Sequence, residues 1–354
     1  MGESMESGFD RQEALDLLAM SAIIENGAMA PIPNAPPGWV SRFISPEIGP
    51  FKNKWQLWRQ GETGPYAIAI RGTVADAGSI LEDLVSLMVQ ATGSLSVGPV
   101  TIPYSFAEDP EAGVHLGFAL ATLLVLHDPA SGILAQLPQL GVAAGSRIFI
   151  TGHSQGAAMA TLLRSYLSHG PDAPQGNIYK TYVFAQPKPG NIHYAEDFES
   201  RFCNAPWAFR ITNSLDWVPE VPFTLQFVQD IDRPNPLSVL ASPSLIVSLM
   251  SRALAEIHDF VEQHSRARLQ STAVALAQTK APAAAAAAAP LMAQPFQVPV
   301  MGSLNFVNVG TDLALMGAPC VDAQCQDAFF EHHAATYYGL LQTQIPVPPP
   351  GSGA

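Results

Sequence analysis

The stretch that most constrains this chain runs from Arg147 into the helix that follows Gly156. Arg147-Ile148-Phe149-Ile150-Thr151 is rich in β-branched residues and reads as a buried strand. It passes through Gly152-His153-Ser154-Gln155-Gly156 into a helical stretch, Ala157 to Ser168. Only a tight turn can join a strand to a helix that directly. The small residues Ala157, Ala158 and Ala160 open that helix, as expected of a helix pressed close to its sheet. Tyr66 to Arg71, Lys180 to Ala185 and Ala208 to Ile211 read as further strands, and Gly113 to Leu126 as a helix. Strands alternating with helices predict βαβ units and an α/β class with a mainly parallel sheet.

The rest of the chain supplies less regular signals. Gln12 to Glu25 has apolar residues at helical spacing and reads as a leading helix. Pro and Gly crowd residues 31–50, which predicts extended surface chain. Trp55 to Arg59 is strand-like, and Ser79 to Met88 reads as a short amphipathic helix with Ile80, Leu84, Leu87 and Met88 on one face. A helical stretch from about Ser244 leads to a low-complexity alanine tract, and strand character resumes at Asn305 to Met316, before a final helix from His332 to Leu341. The expected organisation is one catalytic core, residues 1–229, then an insertion over 230–297 that could act as a cap. The last strand and final helix follow over 298–345, and the tail 346–354 is expected to be disordered.

Composition narrows the function classes. Apolar residues make up 48% of 354, enough to bury a large core, whereas charged residues are only 13%, about half the usual share of roughly 25%. The net charge of -13 and a pI near 5.0 argue against nucleic acid and against an anionic membrane surface as partners, since both select basic patches. No stretch reads as a membrane span: Leu84 to Ala107 is uncharged but interrupted by Pro, Gly and hydroxyl residues, and Pro243 breaks Leu237 to Ser251. No basic segment followed by an apolar run opens the chain, which predicts a cytoplasmic protein, or a secreted one whose leader has been removed. Cys203, Cys320 and Cys325 show no metal-ligand spacing, and Cys320 and Cys325 could pair in an oxidising compartment.

Ser154 sits where a nucleophile must sit: small residues flank it, and the turn lifts its hydroxyl clear of the sheet. This context predicts an α/β-hydrolase fold, with a helical insertion before the last strand. A serine nucleophile needs a base and a group that orients the base, and in this fold they follow in the order Ser, Asp, His. Asp216 lies in a loop after the strand ending at Ile211, and His332 and His333 lie beyond the last strand. Two N–H donors must stabilise the developing oxyanion. One is expected from Gln155, after the nucleophile, and the other from the turn Arg71-Gly72-Thr73, where the Thr73 hydroxyl could add a further donor.

Together these segments resemble the class 3 lipase family, the group that contains the filamentous-fungal triacylglycerol lipases, from about Gln12 to Leu341. The motifs that carry the resemblance are the oxyanion strand AIAIRGT, the segment Val114-His115-Leu116-Gly117-Phe118 and the elbow TGHSQGAAMATLL. Farther on come Pro187-Lys188-Pro189-Gly190-Asn191, the acid loop ending Asp216-Trp217-Val218-Pro219, and Glu331-His332-His333-Ala334-Ala335-Thr336-Tyr337. The resemblance implies Ser154, Asp216 and His332 as the triad, Thr73 and Gln155 as the oxyanion hole, and Ser79 to Met88 as a mobile lid. His332 is preferred over His333 for its spacing to Tyr337. Departures are Gln155, where the family often has Leu, Ala157, where it often has Gly, and the length of the insertion after Asp216.

The expected activity is hydrolysis of acylglycerols or other carboxylic esters through an acyl-enzyme, without metal or cofactor. Ile80 and Leu84 of the lid, and His153 beside the nucleophile, are candidates for touching an ester or lipid substrate, with a lipid–water interface as a candidate meeting place. Feruloyl esterase, phospholipase A1 or acyltransferase chemistry on the same triad is the first alternative. A non-catalytic lipid-binding protein is the second.

Overall fold

The computed structural model describes residues 5–26, 31–72, 87–97, 99–226, 230–231, 256, 266–280, 297–319 and 327–346. Among them the main sheet has seven strands. These are β1 (Trp39–Ile44), β2 (Lys54–Gln60), β3 (Tyr66–Arg71), β8 (Arg147–His153), β9 (Ile178–Phe184), β10 (Ala208–Asn213) and β12 (Thr311–Leu315), in that spatial order. From β3 to β12 every neighbouring pair is parallel, while β1 and β2 add an antiparallel edge. This is the mostly parallel, helix-flanked sheet of an α/β-hydrolase. A smaller sheet joins β4 (Met88–Gln90), β7 (Gly113–His115) and β11 (Val300–Met301), and β5 (Thr92–Val97) pairs with β6 (Val100–Ser105) as a hairpin.

Strand alternation sends side chains to two separate cores. On one face lie Tyr66, Ile68, Ile70, Ile148, Ile150 and Val183, packed with α2 (Leu116–His127), α4 (Gln155–His169) and α6 (Arg266–Lys280). Helix α2 is apolar all round because it is buried all round, from Phe118 to Leu126. The shorter α3 (Ile133–Gln139) seals one end of this layer with Ile133 and Leu137, and α5 (Ile192–Phe202) contributes Tyr194 and Phe198. On the opposite face Ala67, Ala69, Phe149, Tyr182, Phe184 and Ile211 meet α1 (Arg11–Asn26) and α7 (Ala334–Gln344). Ala67 and Ala69 are fully buried, and their small side chains let α1 lie close to the sheet.

Polar anchors fix α1 on that face. Lys180 and Tyr182 both donate to Glu13, Trp39 Nε1 donates to Asp16, and the Ser21 and Thr151 hydroxyls meet at 3.1 Å. Burying a lysine without a carboxylate would be costly, so the Glu13–Lys180 pair specifies where along the sheet the helix sits.

Several expectations need correction. The Pro- and Gly-rich stretch 31–50 contains edge strand β1, whose residues are largely exposed, so no buried alternation betrays it. Met88 belongs to strand β4 and is fully buried, not part of a lid helix, and Gly113 to His115 is strand rather than the first turn of α2. The strands β4, β5 and β6 lie in a Ser-, Thr- and Gly-containing stretch that gave no strand signal. Within 230–297, helix α6 packs into the main core through Leu269, Ala273, Val274, Leu276 and Ala277. Residues 79–86 of the expected lid, the alanine tract, Cys320, Cys325 and the tail from 347 lie outside the described residues.

Candidate active site

Ser154 is the residue between β8 and α4, and it has φ +56° and ψ -133°. A positive φ in a residue with a Cβ is strained, by about 1–3 kcal/mol, and persists only where the surroundings impose it. Those surroundings are the glycines. A Cβ on Gly152 would lie 2.2 Å from the carbonyl oxygen of Gly156, and one on Gly156 would lie 2.3 Å from that of Ile70. Helix α4 therefore starts in backbone contact with β3 and β8, and no side chain fits between. The Ser154 N–H donates to the Phe184 carbonyl at 3.0 Å, pinning the elbow to β9.

Gln155 is the first residue of α4, so its N–H lies at the positive end of the helix. Its side chain lies against Gly72, where an added Cβ would come within 2.6 Å of it. Thr73, the second expected oxyanion donor, lies outside the described residues, as do Ile80 and Leu84.

Asp216 follows β10 at the same C-terminal edge of the parallel sheet, where such folds gather their sites. It is 3% exposed, yet three donors satisfy it. Oδ1 accepts the Val218 N–H at 3.0 Å, and Oδ2 accepts the Tyr337 hydroxyl at 2.7 Å and His332 Nδ1 at 2.9 Å. Burial raises its pKa, but the His332 hydrogen bond and charge, the Val218 N–H and Tyr337 outweigh burial and leave it lowered. Tyr337 in turn stays protonated, because burial and the Asp216 charge push its pKa well up. Its oxygen accepts the Asn213 N–H at 3.0 Å, and the Asn213 amide donates to the Glu331 carbonyl at 2.9 Å. The segment carrying His332 is thus tied back to the end of β10.

His332 ends a short 3-10 turn, Phe330–His332, and is 7% exposed. With Nδ1 directed at Asp216, Nε2 is the nitrogen left for chemistry. Its pKa is lowered: burial disfavours the cation, and the neighbouring His153 charge adds to this, against the opposing hydrogen bond of Asp216. His333, the sequence alternative, has a half-exposed side chain and reaches Asp327 Oδ2 at 2.7 Å.

His153 is misassigned by its sequence position beside the nucleophile. Phe149, Thr151 and His153 alternate onto the α1 face of β8, so the ring turns away from a substrate and into the protein, 3% exposed. Nδ1 lies 3.2 Å from Glu25, and Nε2 donates to the main-chain carbonyl of His332 at 2.8 Å. The His153 and His332 rings are 4.7 Å apart, which sets His332 next to the elbow.

The other motifs have structural places. His115 caps α2 by accepting the Phe118 N–H, and its ring stacks on Phe118 at 3.8 Å. Asn191 caps α5, accepting the Tyr194 N–H, and also accepts that of Gly113 at 2.8 Å. Sequence reasoning used Tyr337 only as a spacing marker and missed Glu25 and Asn213 altogether. Among the described residues no helix is long and apolar enough to cross a membrane, and no cluster of His, Cys, Asp or Glu could hold a metal ion.

A family model described as lipase (class 3) matches residues 67–226, which include the elbow and Asp216. A secreted mono- and diacylglycerol lipase of Malassezia restricta is 30% identical over 156 residues, 44% of this chain and 46% of that protein. A secreted mono- and diacylglycerol lipase of Malassezia globosa is 37% identical over 76 residues, 22% of this chain and 23% of that protein. The chain thus spans less than half the length of these relatives. Among solved structures, M37 lipase aligns over 80% of this chain and 91% of its own, at 18% identity and a TM-score of 0.45. Lip2 lipase of Yarrowia lipolytica aligns over 63% and 79%, at 19% identity and a TM-score of 0.44.

Proposed function

We propose that the chain is a serine ester hydrolase acting on acylglycerols, a reading supported by the class 3 lipase model that matches residues 67–226. The observations that carry this are the buried Asp216–His332 hydrogen bond and the strained serine at a helix N-terminus, whose sequence neighbour His153 lies 4.7 Å from His332, ring to ring.

In the reaction, His332 Nε2 takes the hydroxyl proton of Ser154 as Oγ attacks the ester carbonyl. The oxyanion formed is held by the Gln155 N–H at the positive end of α4, with Thr73 as second donor. Asp216 keeps the Nδ1–H tautomer in place and stabilises the imidazolium. His332 then returns the proton to the leaving alcohol, and water, deprotonated by the same ring, releases the acid. No step calls for a metal or a cofactor. The names of the Malassezia relatives support mono- and diacylglycerols as substrates and support secretion. Substrate met at a lipid–water interface, with Ile80 and Leu84 on its side of the site, is part of the same reading, as is a cap formed by parts of 230–297.

The base must be neutral to act, and its pKa is lowered, so the acid limb of kcat/KM should fall below the ordinary histidine value of 6.5. Ser154→Ala should cost on the order of a million-fold in turnover with the fold intact. Retention of more than about a thousandth of wild-type turnover, with unchanged melting, would remove Ser154 from the mechanism.

A further inference from the structure

The acyl-transfer steps give no role to the buried titratable pair that lies next to His332. His153 and Glu25 are 128 residues apart in sequence, on β8 and α1, and meet behind the catalytic base. The His153 side chain is 4% exposed and that of Glu25 17%. Both Glu25 oxygens lie 3.2 Å from His153 Nδ1, and Nε2 is 2.8 Å from the His332 carbonyl oxygen. Each ring nitrogen thus faces an oxygen acceptor. A neutral imidazole has one N–H and can serve only one of them, so the arrangement calls for an imidazolium with Glu25 as its counter-ion.

We infer that Glu25 and His153 form a buried ion pair through which helix α1 positions the catalytic base, holding the His332 main chain by a charged hydrogen bond and keeping a cation beside the His332 ring. The inference rests on the reading of His332 as that base. The pair has two separable effects. The His153 Nε2–H fixes the carbonyl at the end of the 3-10 turn and so fixes where the His332 ring starts. The His153 charge, one ring away at 4.7 Å, opposes protonation of His332. Among the described residues three other titratable groups face these rings: Asp216 after β10, which favours the cation on either ring; Glu25 on α1; and Tyr337 on α7, its ring edge-on to His153 at 5.9 Å. At His153 burial opposes the cation, but the charge and hydrogen bond of Glu25, with Asp216 and the His332 carbonyl, outweigh it and leave the pKa raised. At His332 the effect of His153 exceeds the opposing one of Glu25.

Glu25→Gln separates the two effects. The amide keeps the shape and can donate to Nδ1, so Nε2–H still holds the carbonyl, but a buried imidazolium without its carboxylate gives up its proton. The acid limb of kcat/KM should then move up by about one pH unit, with the plateau within about threefold of wild type. The ring titration of His332, followed by NMR without substrate, should move up with it. His153→Leu removes the hold as well and should lower kcat about a hundredfold with KM little changed, whereas His153→Gln, which can still donate to the carbonyl, should recover most of that loss. Melting curves identify variants that fail to fold, and Glu25→Gln, being isosteric, carries the test if His153→Leu does. If the protein hydrolyses esters through Ser154 but neither the limb nor the ring titration moves in Glu25→Gln, the pair has no part in tuning the base. If the ring titration moves but Ser154→Ala leaves hydrolysis intact, the pair stands and the reading of Ser154 as the nucleophile falls.

Discussion

The two faces of the central sheet are held in different ways. The α2, α4 and α6 face is packed mainly by apolar side chains, with buried polar contacts such as Ser165–Tyr194 and Gln186–Thr161 among them, and the strained elbow at Ser154 is shaped by the close approach of glycine backbone. The α1 and α7 face is also apolar in bulk, but buried polar pairs cross it from one end of α1 to the other: Glu13 to Lys180, Asp16 to Trp39, Ser21 to Thr151, Glu25 to His153. Apolar packing supplies stability without specifying register closely, whereas an unpaired buried charge penalises any slip. The difference suggests a division of labour in which one face presents the nucleophile and the other, through α1 and Tyr337, holds the base and its carboxylate.

Substitutions on the two faces should therefore fail differently. The largest contrast is expected at the seam. His332→Ala should lose about four to six orders of magnitude in kcat, while His333→Ala, whose exposed ring meets only Asp327 among the described residues, should change activity by less than about threefold. The reverse outcome would exchange the two histidines. On the apolar face, Leu120→Ala in the middle of α2 should cost about 2–5 kcal/mol in thermal or denaturant unfolding, with kcat/KM per folded molecule unchanged. On the other face, Glu13→Ala strands the buried Lys180 and should cost about 1–3 kcal/mol, a smaller loss because Glu13 is itself partly exposed. A loss from Glu13→Ala as large as that from Leu120→Ala would mean that the polar anchors do more than set register.

How much of this was legible in the sequence differed by region for physical reasons. The β8–α4 elbow was readable because its constraint is local: a β-branched run, glycines at the turn and alanines after it occupy one continuous segment. That Asp216 and His332 would meet was legible from their order and their places after β10 and β12, which topology brings to one edge. Edge strand β1 was not, because solvent covers most of it and Pro and Gly surround it. The hairpin of β5 and β6 was hidden by Ser, Thr and Gly, which pair as strands only with tertiary support. His153 was misread because adjacency in sequence to a nucleophile says nothing about which face a strand residue takes. Counting alternation forward from Phe149 turns it toward α1, but its partner Glu25 belongs to a helix far away in the chain, and no local spacing reveals such a pair.

The hydrolase reading stands or falls on whether Ser154 becomes acylated. Mixing the protein with a medium-chain p-nitrophenyl ester, quenching in acid within the first turnovers and mapping the modified peptide by mass spectrometry tests it directly. One added acyl group is expected, on Ser154, that forms in wild type, is lost in Ser154→Ala and clears on standing at neutral pH. An acyl group found on another residue, or ester turnover with Ser154 never modified, would contradict it.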